Sequence, residues 1–200
     1  MSDKIGDDRD PYLYPGLNVM RNRLNIRQAD RLAKASYEIT ALRVATLGLG
    51  PSAPGLPHLC AIHRHLYQDI FDWAGDIREI DIYQGDTRFC HFAYIEKEGN
   101  VLMQDLEEEG YRIGLQKEEI VARLRHYYCE INVLHPFRIG NGIAQRIFFE
   151  QLAIHAGYQL SWKDIDPGKW AAANQSGAMG DLTALNAIFA KVVSEARETE

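Results

Sequence analysis

Apolar residues recur at helical spacing along most of this chain. Leu32, Ile39, Leu42 and Thr46 mark one face from about Ala29 to Leu47. Pro57 suits a first helical position, and Leu59, Ile62, Leu66, Ile70 and Trp73 line the face of a second helix. Past Gly75 the period shortens to two. Glu79–Tyr83 alternates, Gln84, Gly85 and Asp86 supply a turn, and Thr87–Phe92 alternates again. That pattern predicts a short hairpin, the one convincing β signal in the chain. Ile95, Leu102 and Leu106 open a third helix that Gly110 closes. Lys117–Leu134 keeps the strongest helical stripe, with Glu118 and Glu119 in its first turn. A further helix spans about Ile143 to Ala156 and stops at Gly157, while Asp166-Pro167 and Asp181 start two more. Turn chemistry in Asp10–Gly16 makes residues 1–28 an irregular arm. The expectation is a mainly α, single-domain chain over residues 1–200 with one hairpin.

Composition narrows the class. Over 200 residues, 46% are hydrophobic and 25% charged, which excludes a disordered chain. The net charge of −6 disfavours a broad grip on nucleic-acid phosphates. Cys60, Cys90 and Cys129 are odd in number and lack a CxxC, which fits a reducing compartment. The charged first ten residues carry no signal-peptide core, and Pro51, Pro54 and Pro57 interrupt the longest uncharged run. A cytoplasmic protein with no membrane segment is expected. His58, Cys60, His63 and His65 crowd one stretch, but their offsets do not place three on a face, so they read as core and surface histidines rather than a zinc site.

The chemistry concentrates between the two strongest helices, in His135-Pro136-Phe137-Arg138-Ile139-Gly140-Asn141-Gly142. Pro136 pushes His135 out of helical geometry. Gly140 and Gly142 precede a helix N-terminus, where free N–H groups and the dipole favour an anion. Arg146 follows one turn inside. An imidazole, a backbone anion cradle and a guanidinium therefore converge within twelve residues. The segment is neither a P-loop nor a dinucleotide fingerprint.

His135-Pro-Phe-Arg-Ile-Gly-Asn-Gly-Ile-Ala-Gln-Arg146 resembles the Fic signature, HxFx[D/E]GNGRxxR. Ile62-His63-Arg64-His65-Leu66, Asp72-Trp73-Ala74-Gly75 and the hairpin through Gly85-Asp86-Thr87 fit as well, with a core over about residues 57–192. The resemblance implies an all-α Fic-fold bundle with a β-hairpin flap, and transfer of AMP from ATP to a Tyr, Thr or Ser hydroxyl of a target protein. It implies His135 as general base. Arg138, Gly140, Asn141, Gly142 and Arg146 would bind the phosphates, and Phe137 would anchor the loop. Tyr83, Gly85, Asp86 and Thr87 would form the flap that pairs with the target backbone.

Two positions depart from the pattern. Ile139 stands where the acidic Mg²⁺ ligand belongs, and Ile143 replaces the first arginine of GNGRxxR. Isoleucine cannot ligate a hard cation, so the protein supplies no metal ligand and Mg²⁺ would rely on ATP oxygens and water. Weak transfer is expected, and the alternative is a catalytically silent nucleotide-binding module. No [S/T]xxxE[G/N] brake is present; Ser194–Glu198 comes nearest but continues with Thr199. The resemblance therefore implies a toxin–antitoxin pair, with the inhibitory Glu on a small helical antitoxin, and by subgroup analogy type II topoisomerase subunits as targets.

Overall fold

In the computed structural model of this protein, residues 4–5, 10–85, 87–112 and 114–196 are described. Two helices form its centre. The longer, α4 (Lys117–Leu134), begins with a capping box between Gln116 and Glu119 and buries Ile120, Leu124, Tyr127, Tyr128 and Ile131. The next, α5 (Asn141–His155), is buried over most of its surface: Ala144, Phe148, Phe149, Leu152 and Ala153 are fully shielded, while Gly142 and Ile154 are exposed. Around this pair lie α1 (Ala29–Val44), α2 (Leu56–Tyr67), α3 (Ile95–Glu108), α6 (Pro167–Ala178) and α7 (Thr183–Val192). α2 packs on α5, α3 on α4, and α6 with α7 covers the other side of α4. Asp166 caps α6, its carboxylate accepting from the Lys169 N–H at 2.8 Å.

The expected hairpin is present as β2 (Ile82–Gln84) and β3 (Thr87–Arg88), with Tyr83 opposite Arg88 and Gln84 opposite Thr87. A two-residue strand, β1 (Lys4–Ile5), adds to its other side, Lys4 opposite Tyr83, so β2 is the central strand. A second antiparallel pair joins β4 (Tyr158–Leu160) to β5 (Val193–Glu195). The hairpin is thus the one expected, while β1 and the β4–β5 pair went unseen, because strands of two or three residues carry too little alternation to show in sequence.

Two helix boundaries also move. α2 stops at Tyr67, before Ile70 and Trp73: the N–H groups of Ile70 and Phe71 both turn back to the Tyr67 carbonyl, and the Ile70 carbonyl accepts from Arg23 of the arm. Conversely α5 starts two residues before Ile143, because Gly140, in the left-handed region at φ +79°, caps it and its carbonyl takes the Ala144 N–H. Leu42, expected on the buried face of α1, is 72% exposed. Only Leu32 and Thr40 of that helix are buried.

The arm is stitched to the bundle. Tyr12 stacks edge-on against Trp73 at 5.1 Å, and its hydroxyl accepts from the Glu79 N–H. Asp10 reaches the loop between α4 and α5.

Candidate active site

The α4–α5 loop begins with His135 at φ 46° and ψ 64°, a left-handed end to α4 followed by Pro136. A buried cation holds this bend. The Arg78 guanidinium donates to the carbonyls of His135 (2.8 Å), Ile80 (2.5 Å) and Cys90 (2.5 Å), and the Arg78 N–H bonds the Pro136 carbonyl. One side chain thus ties the loop to both legs of the hairpin. Such a cation stays in the core because its donors are met by carbonyls.

The His135 ring stacks on Phe89 at 3.8 Å. Its Nδ1 lies 3.2 Å from the Asn132 carbonyl, which can only accept, so Nδ1 carries the proton and Nε2 keeps its lone pair. Burial pushes the His135 pKa down to about 4; the Asn132 bond acts the other way, and the Arg78 charge adds to the depression. At neutral pH the ring is a neutral base of fixed tautomer.

A second histidine supports the loop from beneath. His63 is fully buried, and its ring stacks on Phe137 at 4.0 Å. Its Nδ1 accepts the Gly75 N–H at 2.8 Å, so Nε2–H donates to the Ile139 carbonyl at 3.0 Å. Burial lowers its pKa to about 4, opposed by that bond to Ile139. Phe137 itself is 1% exposed.

At the far end of the loop, Gly140 faces the Tyr67 ring so closely that a Cβ would stand 2.4 Å from it. Gly142 is exposed, with nothing within 4 Å of where its Cβ would be, so the first N–H groups of α5 are open to an anion. Arg146, half-buried, borders a cavity of about 400 Å³ with Trp162, Ile165 and Trp170. Its charge reaches Glu150, whose carboxyl burial pushes up and Arg146 pulls down. Gln145 donates its amide to the Tyr128 carbonyl and fixes α5 on α4.

Two expected phosphate ligands have other work. The Arg138 guanidinium makes a buried ion pair with Asp10, at 3.0 and 2.7 Å, with side chains 5% and 2% exposed. The Asn141 amide closes a ring with Phe137: Oδ1 accepts the Phe137 N–H at 2.8 Å and Nδ2 donates to its carbonyl at 2.7 Å. Both side chains brace the loop in this structure. In the flap, Tyr83 lies on the central strand, Gly85 turns at φ +61° and Thr87 opens β3; Asp86 falls outside the described residues.

Sequence reasoning missed Arg78, Asp10 and the role of His63. The only local signal was the quoted His63 stretch, since their bonds span tens of residues.

A helical bundle whose α4–α5 loop carries the run from His135 to Arg146 fits the Fic class. The chain belongs to the Fic/DOC family, whose model matches residues 55–153. Over all 200 residues, and the full length of each relative, it is 77% identical to the "probable protein adenylyltransferase Fic" of Salmonella typhimurium and 76% identical to that of Escherichia coli K12. The fold is that of the BepC protein of Bartonella tribocorum, solved with bound AMPPNP: TM-score 0.86, 22% identity, 93% of this chain and 97% of that one.

Proposed function

We propose that this chain is a protein adenylyltransferase that moves AMP from ATP to a Tyr, Thr or Ser hydroxyl of a protein target. The state of His135 carries this reading: neutral, pinned by Asn132, with no partner on Nε2 among the described residues, at the start of the loop that ends in the Gly140–Gly142 cradle. The target oxygen attacks the α-phosphorus while its proton passes to Nε2 of His135. The new O–P bond forms as the bond to the bridging oxygen breaks, and pyrophosphate departs with that electron pair. The N–H groups of Asn141 and Gly142 and the guanidinium of Arg146 stabilise the leaving charge. Arg138, Phe137 and the Asn141 side chain keep the loop in shape, and the flap at Tyr83, Gly85, Asp86 and Thr87 receives the target backbone as an added strand.

Mg²⁺ finds no ligand in this loop. Ile139 offers only a side chain without oxygen, and among the described residues no group of three His, Cys, Asp or Glu could hold a metal. The residues present do not fit the ion, so the charge on pyrophosphate is left to α5 and Arg146. That deficit favours a second reading, a nucleotide-binding module with silent chemistry.

The partner we infer is a small helical antitoxin whose Glu pairs with Arg146, making this chain the toxin of a cytoplasmic pair; type II topoisomerase subunits are targets by analogy. Among the described residues no helix is long and apolar enough to cross a membrane. ATP labelled at the α-phosphorus, incubated with the chain and host lysate, tests the reaction. Label on protein from α-labelled but not γ-labelled ATP supports adenylyl transfer. Label only from the γ-position means phosphoryl transfer and overturns it.

A further inference from the structure

The flap has two outer edges, and its register decides which groups face outward. The Phe89 N–H bonds the Ile82 carbonyl. In an antiparallel ladder the next pair along, Tyr83 and Arg88, then turns its N–H and C=O groups away from one another. On the Tyr83 side β1 lies alongside, with Lys4 opposite. On the other side, among the described residues, no backbone group meets the main chain of Arg88. Two residues on, Cys90 faces the same way and its N–H donates to the Val133 carbonyl at 3.0 Å. The open edge of β3 therefore runs straight into the last turn of α4.

A groove of about 370 Å³ opens there, between α3 and α4. Its floor is apolar, formed by Val101, Leu102, Val133 and Leu134, and Val101 is 48% exposed. Glu98, Asp105 and Glu130 stand around it. Among the described residues Glu98 has only Lys97 at 3.7 Å as an ion-pair partner, a contact between exposed side chains. Asp105 and Glu130 have no ion pair among the described residues. A floor of that kind suits methylene groups, and three carboxylates around it suit a cation at their end.

Resting on the adenylyl-transfer reading, we propose that the α3–α4 groove is a recognition subsite for the protein target. A target segment pairs with the outward N–H and C=O of Arg88, where the edge of β3 is open, and lays a lysine or arginine, flanked by an apolar side chain, into the groove. The ion pairs select the segment; the main-chain ladder orients it so that its hydroxyl approaches His135.

Fluorescein-labelled peptides of alternating Val and polar residues around a central Tyr test this by fluorescence polarisation with the full chain and no ATP. One peptide carries Lys at the polar positions and its twin carries Glu. The Lys peptide binds about tenfold more tightly than its twin, and about 0.5 M salt weakens it. The Glu98→Gln/Asp105→Asn/Glu130→Gln variant, whose unchanged melting temperature checks folding, loses that preference. Equal binding of the twins, no binding of either, or a preference retained by the variant overturns the subsite. A wild-type chain that halves its apparent mass in the variant instead assigns the groove to a second copy and also overturns it. Because the readout needs no ATP, loss of the transferase reading shows separately, as no α-label on lysate proteins.

Discussion

His135, which opens the α4–α5 loop, and His63, packed against it, hold opposite tautomers and the same depressed pKa, about 4 against an ordinary 6.5. The unfolded chain takes up protons at both as pH falls through 6.5, while the native state resists until about 4. Stability conferred by the neutral rings is thus complete above 6.5 and falls as pH drops from 6.5 towards 4. Thermal melts at pH 7, 6 and 5 check this: the wild-type melting temperature falls on acidification, and His63→Phe flattens the slope. The same burial places the acid limb of kcat/KM below pH 6.5, since that profile reports the free enzyme's base. Ile139→Asp supplies the missing oxygen ligand and raises Mg²⁺-dependent transfer at least about tenfold in a label-transfer assay. His135, the two glycines and Arg146 were legible in sequence because a base, a cradle and a cation fall within one short run. Arg78 and Asp10 were not, because the His135 carbonyl and the Arg138 guanidinium they meet lie 57 and 128 residues away along the chain.

At the scale of elements, the loop between α4 and α5 is fixed by the arm as much as by the helices. Removing the Asp10 carboxylate leaves the Arg138 cation buried without a counterion, so Asp10→Ala costs about 3–5 kcal/mol in urea unfolding. Asp10→Leu combined with Arg138→Met recovers much of that loss, because an apolar pair needs no compensation. The two loop glycines separate in the same assay. Gly140→Ala meets both a left-handed backbone and the Tyr67 ring, and destabilises by about 1–3 kcal/mol or more. Gly142→Ala meets nothing and sits in the first turn of α5, so it is neutral or stabilising by up to about 1 kcal/mol. Long stripes such as that of α4 were read to the residue. The β4–β5 pair and the early end of α2 escaped, since one depends on a distant strand and the other on a carbonyl captured by Arg23.

Across the whole molecule, the net charge of −6 is unevenly felt. Glu98, Asp105 and Glu130 stand around the α3–α4 groove, while the proposed nucleotide end holds Arg146 and the open N–H groups of α5. On the proposed reading the groove takes a basic polypeptide and the α5 end takes phosphates. The central claim is that His135 moves AMP onto protein. Peptide mass spectrometry after incubation with ATP, Mg²⁺ and host lysate, with wild type beside His135→Ala, tests it most directly. An AMP adduct on a target hydroxyl, lost by about a hundredfold or more in the variant, is the predicted result. An adduct that persists without His135, or none at all while ATP still binds, contradicts it.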